Sequence, residues 1–173
     1  MTPCWKCVAA ALALATASHS GRAEGDKGFS AGVEAHSRTS LKDLGLRGYP
    51  GAQPRVDAEQ GDNKAAVSLG LWGGPFGLRV QVMKFSTSDA PSQVAAFYLK
   101  ALSADGPVLD CQRPETHVKP SKEEPGQLTC EDDQPVPGGF VYRAGTAKHF
   151  RVVSVKPDGA GTRFDLVRIA IGN

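Results

Sequence analysis

A chain of 173 residues with 20 Lys and Arg against 18 Asp and Glu, net charge +2, lacks the basic footprint that nucleic acid or an anionic membrane surface requires. Its length suits one domain with a core of its own. Past the N-terminus no apolar stretch approaches the roughly 20 residues of a bilayer-spanning helix, so no membrane span is expected in the mature chain.

Met1-Thr2-Pro3-Cys4-Trp5-Lys6 supplies one positive charge ahead of the apolar run Cys7 to Ala15. A short basic region, an apolar run too short to span, and the small residues Ala15-Thr16-Ala17 together read as a secretory signal peptide. Gly21-Arg22-Ala23 offers a second cleavage triplet, so residues 1–23 are assigned to the signal, cut after Ala17 or Ala23. The alternative, a buried N-terminal helix, lacks an amphipathic stripe and a cap. A lipoprotein anchor would need a Cys just after the apolar run, whereas Cys4 and Cys7 lie before it or at its start. The expected location is therefore periplasmic or secreted.

Processing leaves Cys111 and Cys130, and two cysteines in an oxidising compartment are expected to pair. The alternatives are a metal site with His117 or His149, or a reactive thiol. No Cys-x-x-Cys or His-x-x-x-His spacing favours the metal.

Residues 24–48 are polar and Gly-containing, which reads as a flexible leader with at most a short turn of helix at Leu41-Lys42-Asp43-Leu44. A single ordered domain is expected over 49–173, opening on the turn signal Tyr49-Pro50-Gly51-Ala52. Ala65, Val67, Leu69 and Leu71 alternate with Ala66, Ser68 and Gly70, the period of a half-buried strand. Trp72-Gly73-Gly74-Pro75-Phe76-Gly77 follows as a turn or wide hairpin. The next strand, Leu78 to Phe85, puts Leu78, Val80 and Val82 on one face and then switches its apolar parity to Met83 and Phe85. Either a bulge sits near Val82 or the strand is covered on both sides.

Asp89 to Asp105 is predicted to be a helix. Pro91 suits the first helical position, and Gln93 falls where it can reach back to the cap. Val94, Phe97, Tyr98, Ala101 and Leu102 form one apolar stripe, with Phe97 expected to be nearly fully buried and Lys100 opposite. The Tyr98 hydroxyl is expected to find a partner or to reach solvent at the sheet edge. Gly106-Pro107 stops the helix. Val108 to Cys111 and Gln127 to Cys130 read as short strands flanking a polar loop. Phe140 to Ala144, Phe150 to Val155 and Thr162 to Ile171 complete the set, with Pro157-Asp158-Gly159 as a turn. The predicted order β-β-α-β-β-β-β-β gives an α+β fold, a mostly antiparallel sheet covered by one main helix.

Catalytic signals are sparse. No Gly-x-Ser-x-Gly elbow presents a nucleophile, and His36, His117 and His149 read as surface histidines. Glu123-Glu124 and Asp132-Asp133 stand among loop residues, where paired carboxylates are solvated rather than tuned for acid–base work. Glu131-Asp132-Asp133 lacks the alternating ligand pattern of a calcium loop. The unusual local feature is the aromatic, glycine-rich turn, whose Trp72, Gly73, Gly74 and Phe76 form a candidate contact surface. The plainer reading is a hairpin whose aromatics pack over a core edge.

Tyr49-Pro50-Gly51-Ala52, Phe85-Ser86-Thr87-Ser88-Asp89-Ala90-Pro91 and Val94-Ala95-Ala96-Phe97-Tyr98 resemble a loose group of uncharacterised exported bacterial proteins. There a Tyr-Pro-Gly-Ala turn precedes a hairpin and a helix bearing a Val-x-x-Phe-Tyr stripe. The resemblance covers about residues 49–111. It departs at Ala90, where the group carries a capping Ser, which leaves Asp89 as the alternative cap. It implies an exported bacterial α+β domain and transfers no activity. The sequence therefore points to a binding or interaction module of the cell envelope, with no cofactor expected and an unidentified protein or small ligand as partner. Two alternatives stand beside it: a small exported hydrolase using His149 with a carboxylate, and an envelope stress or assembly factor.

Overall fold

Strand periodicity dominates this chain, and the computed structural model is built on one sheet. It describes residues 31–36, 39–56, 65–73, 76–119, 122, 126–131 and 133–172. The expected signal peptide, with its cleavage after Ala17 or Ala23, lies outside the described residues. In chain order the elements are β1 (Ala31–His36), α1 (Leu41–Leu44), β2 (Gln53–Pro54), β3 (Ala66–Gly73), β4 (Phe76–Thr87), α2 (Pro91–Ser103), β5 (Val108–Asp110), a 3₁₀ turn (Pro114–Thr116), β6 (Phe140–Gly145), β7 (His149–Asp158) and β8 (Gly161–Ile171). The strands lie in the order β1-β3-β4-β8-β7-β6-β5, with β2 paired to the end of β4. Every pairing is antiparallel. The fold is α+β, one antiparallel sheet with one main helix. No helix among the described residues is long and apolar enough to cross a membrane.

The parity switch in β4 is real and needs no bulge. Its register runs unbroken from Leu78↔Ile171 to Thr87↔Thr162 against β8, and from Ala66↔Met83 to Gly73↔Phe76 against β3. Met83 and Phe85 therefore face the helix layer, while Leu78, Val80 and Val82 face the opposite side. Phe85 stacks on Phe164 at 5.4 Å between ring centroids, at the base of the core that α2 covers.

In α2 the deepest row is Val94, Tyr98 and Leu102, each fully buried, with Ala95 beside it. Phe97 is only half-buried, against the expectation of near-complete burial. At 100° per residue it sits on the flank of the stripe rather than its centre. There the Tyr49 ring meets it edge-on at 5.2 Å. The helix starts at Pro91 with Ala90 as N-cap, and Gln93 Oε1 accepts from the Ala90 amide at 3.2 Å. Asp89 does not cap, because its carboxylate is engaged elsewhere. The Tyr98 hydroxyl is buried near the Tyr49 backbone without a hydrogen bond of normal geometry, contrary to the partner expected for it.

Two further expectations are corrected, while the short helical turn expected at Leu41–Leu44 is present as α1. Residues 31–36 and 39–48 of the supposed leader are structured: β1 pairs with β3, and Leu44 and Leu46 enter the main core. α1 is held by a capping box, in which Ser40 Oγ accepts from the Asp43 amide and Asp43 Oδ2 accepts from the Ser40 amide. Gln127 to Cys130 makes no strand. That segment is tied instead by the Cys130 amide donating to the Thr116 carbonyl at 2.9 Å. The Cys111–Cys130 disulfide, with Cα atoms 5.5 Å apart, also holds it. The disulfide forms a second, smaller cluster with Val141, Leu109 and Val152.

Candidate functional site

The connection between β3 and β4 decides the geometry of the expected contact surface. Trp72 pairs with Gly77 and Gly73 with Phe76, so Gly74 and Pro75, outside the described residues, are all that lies between the strands. Side chains alternate across a sheet. Trp72 therefore emerges on the helix side and Phe76 on the opposite side. Both are exposed, at 43% and 51%, but they belong to two surfaces and cannot contact one ligand together.

Trp72 is held by glycines. Gly32 stands directly across from it on β1, and a Cβ there would collide with the indole. Gly70, two residues earlier on the same face, leaves its Cβ position 3.8 Å from the ring. The ring thus lies over bare backbone and turns its other face outward, an arrangement only glycine permits at position 32. The outer face opens on a groove of about 570 Å³ that runs along the helix side of β3, β4 and β8, beyond the reach of α2. Ser68, Arg79, Gln81, Glu34 and Asp43 line it with Trp72. Arg79 is exposed and makes no hydrogen bond or ion pair among the described residues. Arg168 Nη1 donates to the Asp43 carbonyl at 2.6 Å and fixes α1 at the groove's end. Hydrogen bonds from Ser40, first from its side chain and then from its amide, hold the Asp43 carboxyl below its ordinary value, so it lines the groove as an anion.

The sequence singled out Trp72 but missed its neighbours. Their signal was the same alternation used for the strands: Ser68, Gly70 and Trp72 share one face of β3, and Arg79 and Gln81 share that face of β4. A polar, glycine-bearing face directly behind an aliphatic one marks a place where the sheet leaves its core.

The three segments that carry the family resemblance meet at a different place. Tyr49-Pro50-Gly51-Ala52 closes a turn with the Ala52 amide on the Tyr49 carbonyl, at 3.2 Å, and Gly51 at φ +75°. Tyr49 then packs its ring on Phe97, Tyr98 and Phe164 and donates its hydroxyl to Asp89 Oδ2 at 2.6 Å. Thr162 Oγ1 donates to the Asp89 carbonyl. This cluster locks the turn to the start of α2, which is a structural role.

Ionising Tyr49 would set a phenolate against the Asp89 carboxylate, so that hydrogen bond, helped by desolvation, pushes the phenol from 10.0 up to about 12. A raised folded-state value means that the contact's stability is complete below pH 10 and lost as pH climbs through about 12. The stability gap between wild type and Tyr49→Phe, from denaturant titrations at each pH, is expected to be flat up to pH 10 and to shrink above it. A gap that persists unchanged to pH 12 would contradict the contact.

The catalytic alternative is not assembled among the described residues. His149 is exposed at the start of β7, its amide on Thr146. The nearby Asp105 carboxylate is engaged by Arg151 rather than by the imidazole. His117 Nε2 hydrogen-bonds the Cys111 carbonyl at 2.8 Å, beside the disulfide. Asp133 is paired with Arg143, Asp132 lies outside the described residues, and no metal-ligating cluster of three occurs among those described. Cys111 and Cys130 are both consumed by their bond. No protein-family model, no curated protein and no solved structure matches the chain.

Proposed function

We propose that this chain is an exported, non-catalytic binding module of the bacterial cell envelope, periplasmic or secreted, that takes a small polar ring in the groove over Trp72. One observation carries the reading: an indole laid on Gly32 and Gly70, with its outer face open to a groove that holds a guanidinium without a partner among the described residues, an amide, a hydroxyl and carboxylates. A sugar ring has one face of C–H groups that stacks on an aromatic and a rim of hydroxyls that such groups bind. Arg79 favours a sugar acid within that class. The disulfide and the resemblance to exported bacterial proteins support the envelope location.

Calorimetric titration with N-acetylglucosamine, glucose and glucuronate tests the reading through variants. Trp72→Ala is expected to lower affinity at least tenfold, a loss of about 1.4 kcal/mol, and Arg79→Ala to weaken glucuronate more than the neutral sugars. Both variants should keep the wild-type melting temperature within a few degrees, because neither side chain is buried. Equal binding by wild type and Trp72→Ala would contradict the site.

A further inference from the structure

The sheet has a second apolar face, and among the described residues no layer covers it; only the Arg143 guanidinium lies on it, 5.4 Å over the Phe150 ring at its β7 edge. On the side away from α2 the register aligns Leu69, Val80, Ile169 and Phe150 in one row across β3, β4, β8 and β7. The rows on either side of it continue the pattern, from Val67 on β3 to Ile171 on β8, and none of their strand positions on these four strands is charged. None of these residues is among the buried core, and only Val152 at the margin touches the disulfide cluster. The helix α2 packs on β5, β6, β7 and β8 from the other side. Over this part of the sheet the usual arrangement is reversed: the face turned toward the helix layer carries Arg79, Gln81 and Arg168, and the open face is aliphatic. Phe76, 51% exposed, extends the open face at the hairpin. A strand that is apolar on both sides, without a bulge, calls for a second cover.

We propose that this face is a homodimer interface, formed by the sheets of two copies stacking face to face. Four strands about 4.8 Å apart and three rows about 7 Å apart give a footprint of about 400 Å², the size at which an exposed apolar patch is a working surface. Two such faces, with the relief of their side chains, reach the lower end of the roughly 1,200 Å² that a stable dimer buries. Apart from Arg143, which lies over Phe150 at one edge and is paired with Asp133, the rows present no charge for an unlike partner to read. A flat aliphatic sheet is complementary to itself about a two-fold axis, stacking at about 10 Å. A net charge of only +2 opposes the pairing little. The groove over Trp72 lies on the other face and stays open in such a dimer, so the two proposals stand or fall separately.

Sedimentation velocity on the exported protein, across micromolar concentrations, tests the interface. The wild type is expected to sediment as a dimer, and Val80→Asp as a folded monomer with dimerisation weakened at least a hundredfold. Val80→Thr keeps the shape and the strand while adding a hydroxyl, and is expected to weaken the dimer about tenfold; it serves if the Asp variant fails to fold. Lys100→Asp, exposed on α2, is expected to leave the dimer unchanged. A wild type that is monomeric throughout, including one that binds lipid vesicles or a different protein through this face, would overturn the proposal. A Val80→Asp protein that remains dimeric would overturn it as well.

Discussion

Truncating Tyr98 to Ala is expected to lower the unfolding free energy by about 3–5 kcal/mol, the range for removing a large buried aromatic and leaving a cavity. Tyr98 is fully buried at the centre of the α2 stripe, with ring centroids 5.0 Å from Phe97 and 5.5 Å from Phe164. That loss is a large share of the roughly 5–15 kcal/mol that holds a domain together. Phe97→Ala should cost less, since Phe97 is half-exposed on the flank. Lys100→Ala, on the exposed face, should cost well under 1 kcal/mol. Tyr98→Phe separates ring from hydroxyl. The hydroxyl is buried without a partner, and desolvation accordingly pushes its ionisation well above the ordinary range. Removing a polar atom that makes no bond is expected to be neutral or stabilising. Urea midpoints under oxidising conditions report all four variants. A Tyr98→Phe protein destabilised by more than about 1 kcal/mol would show that the hydroxyl has a partner after all.

Replacing Cys111 and Cys130 together by Ala is expected to cost about 3 kcal/mol, from the loop entropy that the cross-link removes from the unfolded chain. The two cysteines are 19 residues apart in sequence and both fully buried. Besides the bond itself, the Cys130 amide on Thr116 and the Cys111 amide on the Val141 carbonyl tie the 112–129 loop to the sheet. The loss should therefore appear first as proteolytic cleavage within that loop. Reductant added to the wild type should reproduce the lowered midpoint. An oxidised and a reduced protein of equal stability would contradict the structural role of the bond.

The α+β architecture was legible because its long elements are strongly periodic. The stripe from Val94 to Leu102 gave α2, and the alternations around β3, β4 and β8 gave the sheet. The disulfide followed from the cysteine count once Cys4 and Cys7 were assigned to an expected signal peptide. Other features were hidden for physical reasons. β1 reads Ala-Gly-Val-Glu-Ala-His, with one branched aliphatic, and its place is set by pairing with β3 rather than by its own pattern. α1 is a single turn stabilised by a cap, below the length at which periodicity can speak. Its Ser40-x-x-Asp43 spacing was the available clue. Gln127 to Cys130 looked like a strand from composition, yet a covalent tether and side-chain contacts hold it without a ladder.

The candidate site was half legible. Trp72 and Phe76 stood out as neighbours in sequence, and only the length of the connection between β3 and β4 reveals that they face opposite ways. The depth order within the α2 stripe likewise depended on where the Tyr49 turn packs, which is a long-range contact. Apolar parity on β4 was read as a choice between a bulge and cover on both sides, and among the described residues a layer covers only one side. The unbroken register excludes the bulge and leaves the second face as a property of the fold.

The central claim is that the groove over Trp72 binds a small polar ring. The chain has two tryptophans, at positions 5 and 72, so a protein beginning at Ser18 or Glu24 reports on Trp72 alone. Its intrinsic fluorescence, titrated with glucuronate and N-acetylglucosamine, is expected to change saturably with at least one of them, together with reduced quenching by acrylamide as the ring is covered. Emission and quenching that stay the same at every concentration of both sugars would contradict it.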